Sequence, residues 1–544
     1  MAVALIISFL TILGLIFPGY YPMHDDLQVM RIFQLEKCFA DGQIPCRWVS
    51  DMAFGYGQAL FNFYSATPYY LGVLIRIILP ISILDTVKLL FAVSLIAGAV
   101  GMYLLSKEFF GRWGGVLSSA LYAFAPYKAV NVYVRGALAE SFSLAILPFL
   151  WLFIHKSIKT PTLKNVSFLS IAIALLLANH NISTFIFFGF TLAWVLFLLL
   201  NNLKIKSILA VLSGSILGFS LAGFFIIPVI FETKLIKSEI FTTDYSYFAG
   251  HFVTLKQLFI SRFWGYGGSI FGEEDGMSFQ VGWPHWWVAI LVGLASFFSL
   301  LKKRNSQSLL ALTILSLSSF ALFLTHNRST FIWNLFPFIS FVQFPWRFLG
   351  ICVFLISFAA GSVKKVFIPI VLLLTISLNI GYFKPETIYN WMTDDLKLSG
   401  DDFAVQQKSA PLDYMPKTVK SPPTDIAPDK PVLVKGNADL PNLTKTSKTF
   451  FFDANVFEHS VVDVPIIYFP DWEVYLLEGQ GNLIDVAPSD NEGVIRIELP
   501  EGKHMVYGRL VDTPARTIGN LLTVIAFFVL MAMGVAVARN SKFK

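Results

Sequence analysis

Apolar runs alternate with short polar connectors along almost the whole chain, and their length sets the first prediction. Runs near the ~20 residues that a helix needs to cross a bilayer fall at about 2–18, 86–105, 113–126, 138–154, 166–179, 182–200, 207–231, 284–301, 307–325, 347–363, 366–382 and 517–538. A thirteenth apolar stretch, Leu60 to Ile81, reads differently. It carries Pro68 near its centre, polar Asn62, Ser65 and Thr67 before it, and Arg76 after it. Proline removes a backbone donor and clashes with the preceding turn. The stretch therefore predicts two half-helices lying in the membrane interface, their aromatics at headgroup depth.

The connectors decide the count. With twelve crossings, one side receives Lys107 and Arg112, then Lys156, Lys159 and Lys164, then Lys204 and Lys206. The same side receives Lys302, Lys303 and Arg304, then Lys364 and Lys365, and last Arg539, Lys542 and Lys544, with Glu108 as its only acid. A thirteenth crossing would break that alternation. Basic residues flanking spans stay in the cytoplasm, so both termini are predicted inside. The first apolar run has neither a basic leader nor a small-residue cleavage site, and it reads as a retained span.

Three large pieces are then exported: 19–85, 232–283 and 383–516. The last predicts a separate domain, preceded by a membrane domain over 1–382 and followed by a span and basic tail over 517–544. Its first half is rich in Pro, Asp and Lys and reads as turns. Its second half alternates, as in VVDVPIIYF, WEVYLLEG and VIRIEL, which predicts an antiparallel β-sandwich-like unit. Composition agrees with the membrane class. Only 14% of the 544 residues are charged and 55% are hydrophobic, whereas soluble domains carry nearer a quarter charged. No basic tract is interleaved with aromatics, so nucleic acid is not a predicted partner. Cys38 and Cys46 share one exported loop, where a bridge is permitted; a disulfide and two free thiols both fit their spacing. Cys352 lies in a span and reads as packing.

The candidate chemistry collects at one edge. His24, Asp25, Asp26, Arg135, Glu140, His180, Glu232 and Arg347 all fall at segment ends on the exported side, and charge beside lipid is usually kept for function. Asp25 and Gln28 resemble a capping box for a helix ending near Asp41 and Gly42, with Asp26 placed to suit the helix dipole. A carboxylate at that helix start also suits a general base toward a sugar hydroxyl. With His24 the pair would alternatively offer ligands to a divalent cation, although adjacent side chains diverge. Arg135 and Glu140 fit either a structural salt bridge or a grip on phosphate, the arginine being its planar donor. His180, in the polar hinge ANHNIS, reads first as a satisfied loop residue, and Arg347, after Pro345 and Trp346, as an interface anchor unless it points inward. There is no Gly-rich phosphate loop, nucleotide-binding βαβ unit, HExxH or G-x-S-x-G elbow. A transferase of this kind would need a donor activated on a lipid carrier.

Through HDD at 24–26, GQIPCRWVSDMAFGYGQALFNFYSATPYYL at 42–71, LYAFAPYKAVNVYVRGALAES at 121–141, NHN at 179–181, QFPWRF at 343–348 and YFPDWEVYLLEG at 468–479, the chain resembles a membrane protein family. That family is labelled 6-pyruvoyl-tetrahydropterin synthase-related and is akin to the YfhO-type integral membrane proteins. No histidine triad with zinc-ligand spacing stands behind the pterin label. The layout also resembles GT-C glycosyltransferases, whose first external loop carries an acid near its start and whose donors are polyprenyl-phosphate sugars. The resemblance implies Asp25, with Asp26 second, as catalytic base, and Arg135 and Arg347 as contacts for the lipid phosphate; His24, Glu140 and His180, at the same edge, join them as candidate substrate-binding residues. It implies transfer of a sugar from a lipid-linked donor to a glycan, lipid or protein acceptor outside the cytoplasm. No cofactor beyond a divalent cation is implied. The other readings are a glycolipid transporter or flippase, disfavoured by spans whose interiors hold mainly Ser, Thr, Asn and Gly, and a non-catalytic envelope scaffold.

Overall fold

The structure, a computed structural model, describes residues 1–201, 203–302, 305–410, 413–477 and 481–542. Lys303, Arg304, Glu478, Gly479 and Lys544 lie outside the described residues. Among the described residues, eight helices are long and apolar enough to cross a membrane, and a bent pair makes a ninth. Ala2–Leu15 and Leu163–Leu177 are apolar but shorter. The 41-residue helix Ile83–Ala123 is two helices, because Gly111 takes φ 73° and ψ −178°. Beyond it the chain runs back along itself: the Ser119 hydroxyl donates to the Ala99 carbonyl at 2.7 Å, and Ser106 and Ser118 meet at 2.8 Å. The segments 83–110 and 112–123 thus form the antiparallel pair expected from the runs at 86–105 and 113–126.

One predicted span differs in shape, and the stretch read as two half-helices is broken as expected. The run at 207–231, expected as one span, bends by 76° between Ile205–Leu221 and Gly223–Leu235. A neighbour compensates the break: the Thr523 hydroxyl accepts from the Phe224 amide at 2.8 Å and lies 3.3 Å from the Ser220 and Leu221 carbonyls. The Gly223 and Gly519 backbones meet so closely that a Cβ on Gly519 would lie 2.5 Å from the Gly223 carbonyl. The Leu60–Ile81 stretch is broken into Leu60–Phe63 and Thr67–Ile78, with Pro68 opening the second piece. Twelve residues rise about 18 Å, short of the ~30 Å hydrocarbon core. At the break the Ala66 and Thr67 amides donate to the Ala178 carbonyl, and Asn181 donates to the Phe63 carbonyl at 3.1 Å. The polar hinge ANHNIS is therefore the dock for this loop.

The basic connectors gather at one end of the bundle. Lys156 pairs with Glu108 at 3.5 Å, Gln307 donates to the Phe109 carbonyl, and Ser207 donates to the Ile158 carbonyl. At the other end the three large connections interlock. Tyr20 bridges Tyr389 and Ile236 bridges Pro416 as isolated antiparallel pairs, and Gln43 donates to the Ser447 carbonyl at 2.8 Å. A disulfide joins Cys38 and Cys46, next to helix Gln28–Ala40.

Eight antiparallel strands form the β unit: β1 Val432–Asp439, β2 Thr444–Lys445, β3 Thr449–Ile467, β4 Trp472–Leu476, β5 Asn482–Ile484, β6 Val486–Pro488, β7 Val494–Leu499 and β8 Gly502–Leu510. The strand order is β5-β4-β8-β3-β7-β6, with β1 and β2 also on β3. The first half of β3 pairs with β8 and the second with β7, so one long strand carries both halves of a folded sheet. Phe450, Phe452, Val464, Ile495 and Val506 form its core. Trp48, Phe54 and Tyr56 from the first loop enter that same core, so the β unit and the 19–85 loop are packed as one body.

Candidate functional site

A cavity of about 960 Å³ lies at the end of the bundle away from the basic connectors. His24, Asp25, Arg135, Glu140, His180 and Arg347 all line it. Backbone pairing brings the first and fourth apolar segments together: the His24 amide donates to the Val134 carbonyl at 3.0 Å and the Asp25 amide to the Arg135 carbonyl at 2.9 Å. Gly136 permits the approach, with φ +64° and Met23 filling the space that a Cβ would need. Gln28 fastens the same junction by donating to the Gly136 carbonyl at 2.8 Å.

Asp25 does not cap the helix. The N-cap is Leu27, without a side-chain bond, and no acid lies in the first turn. One carboxylate oxygen, Oδ2, instead accepts from Arg31 at 2.8 Å and Gln28 at 3.0 Å. Among the described residues Oδ1 has no hydrogen-bond partner. Arg31 is buried beneath the cavity wall with its guanidinium 4.3 Å over the Tyr64 ring. Asp26 is turned away from the cavity: Lys397 donates to it at 2.8 Å and Tyr20 at 2.5 Å. The expected cluster of His24, Asp25 and Asp26 therefore does not converge, and no three His, Cys, Asp or Glu side chains among the described residues come together to hold a metal ion.

The opposite wall is a buried arginine pair around one glutamate. Glu140 Oε2 accepts from Arg135 at 2.9 Å and lies 4.0 Å from Arg347. Its Oε1 accepts from Tyr127 and Asn131. Trp346 stacks 4.4 Å from the Arg135 guanidinium. Arg347 donates to the Val342 carbonyl and to Gln343 at 2.9 and 2.7 Å, while its Nε, the atom nearest Glu140, is buried with no hydrogen-bond partner among the described residues. His180 is fixed through Nδ1 by Ser183 at 2.7 Å. His24 donates through Nε2 to the Tyr266 carbonyl at 3.2 Å. Burial lowers the His24 pKa, the Tyr266 carbonyl opposing that shift and the Arg135 charge adding to it. At neutral pH that ring is uncharged.

Glu232 stands apart, buried in a pair with Arg516 at 3.1 Å and bonded to Asn62 and Thr513. It ties the bent helix to the last one and is not among the residues that line this cavity.

Two charged lining residues were not singled out from sequence. Arg31 lies four residues from both Leu27 and Leu35, so a charge on the buried face of its helix was the available signal. Asp413 comes from the irregular stretch before the β unit, where no periodicity marks it. Burial pushes its carboxyl up to about 6, the Asp25 charge adding and Arg31 opposing. Ile182, Phe185, Phe338 and Phe341 give the cavity an apolar lining as well. All three phenylalanines are substantially exposed.

Apolar helices enclosing a charged cavity at one end define a polytopic membrane protein. The chain belongs to the 6-pyruvoyl-tetrahydropterin synthase related domain family of membrane proteins, whose model matches residues 61–385. Arg135, Glu140, His180 and Arg347 lie inside that match, whereas Asp25, Arg31 and Asp413 lie outside it. No curated protein matches the chain. Among solved structures it is similar to the arabinofuranosyltransferase AftD from Mycobacteria, at 16% identity and TM-score 0.44, over 72% of this chain and 27% of AftD. It is also similar to the Archaeoglobus fulgidus oligosaccharyltransferase, at 14% and 0.40, over 72% of this chain and 56% of that one. ArnT from Cupriavidus metallidurans, solved with undecaprenyl phosphate, is similar at 12% and 0.29, over 66% and 76%. The chain thus spans about a quarter of AftD and little over half of the oligosaccharyltransferase. Likeness at this level carries neither donor nor acceptor over to this chain.

Proposed function

We propose that this protein is a GT-C-type membrane glycosyltransferase that moves a sugar from a polyprenyl-phosphate carrier to a glycan, lipid or protein acceptor outside the cytoplasm. The observation that carries the reading is the shape and charge of one cavity. Asp25, Arg135 and Arg347 line the same space as the exposed rings of Phe185, Phe338 and Phe341. An amphiphile with an anionic head and an isoprenoid tail matches both kinds of lining. The arginines supply planar donors for the phosphate, and His180 adds a further donor or acceptor.

In this mechanism the acceptor hydroxyl hydrogen-bonds to Asp25 Oδ1 and attacks C1 of the sugar. The C1–oxygen bond breaks with its electron pair leaving on the lipid phosphate, where Arg135 and Arg347 stabilise the growing charge. Asp25 holds the nucleophile in line, because Arg31 and Gln28 fix its other oxygen. Asp26 has no part in this scheme. Full-length protein in lipid nanodiscs is expected to bind undecaprenyl phosphate and to release it from one or more undecaprenyl-phosphate sugars. Asp25→Asn should slow that release about 100-fold or more while leaving undecaprenyl phosphate binding intact. Translocation of the lipid without sugar release by the wild-type protein would replace the transferase reading with a transporter.

A further inference from the structure

The proton of the acceptor hydroxyl must go somewhere, and Asp25 is poorly arranged to keep it. Protonating Asp25 would discard the charge-assisted bond to Arg31 and leave a buried guanidinium without its counter-charge, which is costly. The cavity holds another carboxylate without that constraint. Asp413 lines the same space, and among the described residues its carboxylate accepts no hydrogen bond. Its main chain is nonetheless clamped. Gln58 of the first loop donates to the Asp413 carbonyl and, at 3.4 Å, to the Ala410 carbonyl. Ala410 and Tyr414 both have positive φ, 52° and 58°, a strained backbone of the kind that recurs at active sites. Tyr414 stacks on Phe63 at 5.7 Å and also lines the cavity. A carboxylate held firmly by its backbone and left open at its side chain is arranged to receive a proton.

We propose that Asp413 is the proton acceptor of the transfer, working beside an Asp25 that orients the nucleophile. The inference rests on the transferase reading and deepens it. The O–H bond of the acceptor breaks and its proton goes to the Asp413 carboxylate. The oxygen forms its bond to C1, the lipid phosphate departs with the C1–O electron pair, and Asp413 then returns the proton to water. Asp25 and Arg31 are the charged groups acting on Asp413 from the first loop, and Tyr414 is the titratable neighbour on its own segment. Its raised affinity for protons, near 6, suits a base that works close to neutrality. The transfer rate is then flat above pH 7 and falls as pH drops through about 6, where Asp413 becomes protonated and cannot accept.

The test uses the full-length protein in nanodiscs, a panel of undecaprenyl-phosphate sugars as donors, and water or simple glycosides as acceptors. Release of undecaprenyl phosphate is followed from pH 5 to 8. Asp413→Asn is expected to slow release about 100-fold, to abolish the acidic limb, and to leave the affinity for undecaprenyl phosphate unchanged. Asp413→Glu should restore part of the rate with a displaced limb, which a purely structural role would not do. Asp25→Asn should be slow but keep the limb. An Asp413→Asn protein with the wild-type rate and limb overturns the assignment and leaves the transferase reading standing. Wild-type protein that neither binds undecaprenyl phosphate nor consumes any donor overturns both.

Discussion

Glu140 is the residue on which the arginine pair depends. Two buried arginines face it, and removing one member of a buried ion pair costs about 3–5 kcal/mol. Glu140→Gln is therefore expected to destabilise the protein by about 3 kcal/mol or more. A bound phosphate supplies the missing negative charge, so undecaprenyl phosphate should stabilise the variant more than it stabilises wild type. Thermal unfolding in nanodiscs with and without the lipid measures both effects, and equal shifts for the two proteins would argue against a phosphate between these arginines. Arg135, Glu140, His180 and Arg347 were legible in the sequence because each is a charge or polar ring at the end of an apolar run. Whether they converge was not legible, since that depends on backbone pairing between residues over a hundred positions apart. Asp26 shows the reverse case. It is adjacent to Asp25 in sequence, yet successive side chains leave in different directions, and Lys397 takes it as a partner.

At the scale of elements, hydropathy located the helices well and their breaks poorly. Proline and polar residues flagged the Leu60–Ile81 interruption. The 76° bend near Ala222 has Gly223 at the break and Pro228 one turn beyond it, signals that a run read only for its hydropathy passes over, and the groups it frees are satisfied by the last helix. Thr523 there bonds to the amide and carbonyls freed by the bend, and in lipid such groups have no water to turn to. Thr523→Val keeps the shape and removes the hydroxyl, so it should cost about 1–3 kcal/mol, read as a lower unfolding midpoint of the full chain. A bend created by membrane insertion alone, independent of the last helix, predicts no change. The strands were legible through alternation. The sharing of their core with Trp48, Phe54 and Tyr56 was not, because those aromatics sit in a loop whose sequence has no strand period.

The whole molecule has a polarity that the functional reading requires. Helix Leu138–Lys159 carries Glu140 in the cavity at its start and Lys156 near its end, paired with Glu108 of the 106–112 turn. Over its 22 residues it rises about 33 Å, close to a bilayer core. Helix Pro514–Lys542 likewise begins beside Glu232 at the cavity end and runs toward the opposite one. If basic connectors stay inside, the cavity, the Cys38–Cys46 bridge and the β unit face outward, where a disulfide persists. Cysteine chemistry offers a direct check, since Cys352 is buried and the other two native cysteines are bridged. Arg112 and His459 are exposed at the two ends. In intact cells a membrane-impermeant maleimide should label His459→Cys and spare Arg112→Cys until the membrane is opened. The opposite pattern would turn the cavity toward the cytoplasm and remove the ground for transfer at the outer surface, because the arginines, Asp25 and Asp413 all share that one end.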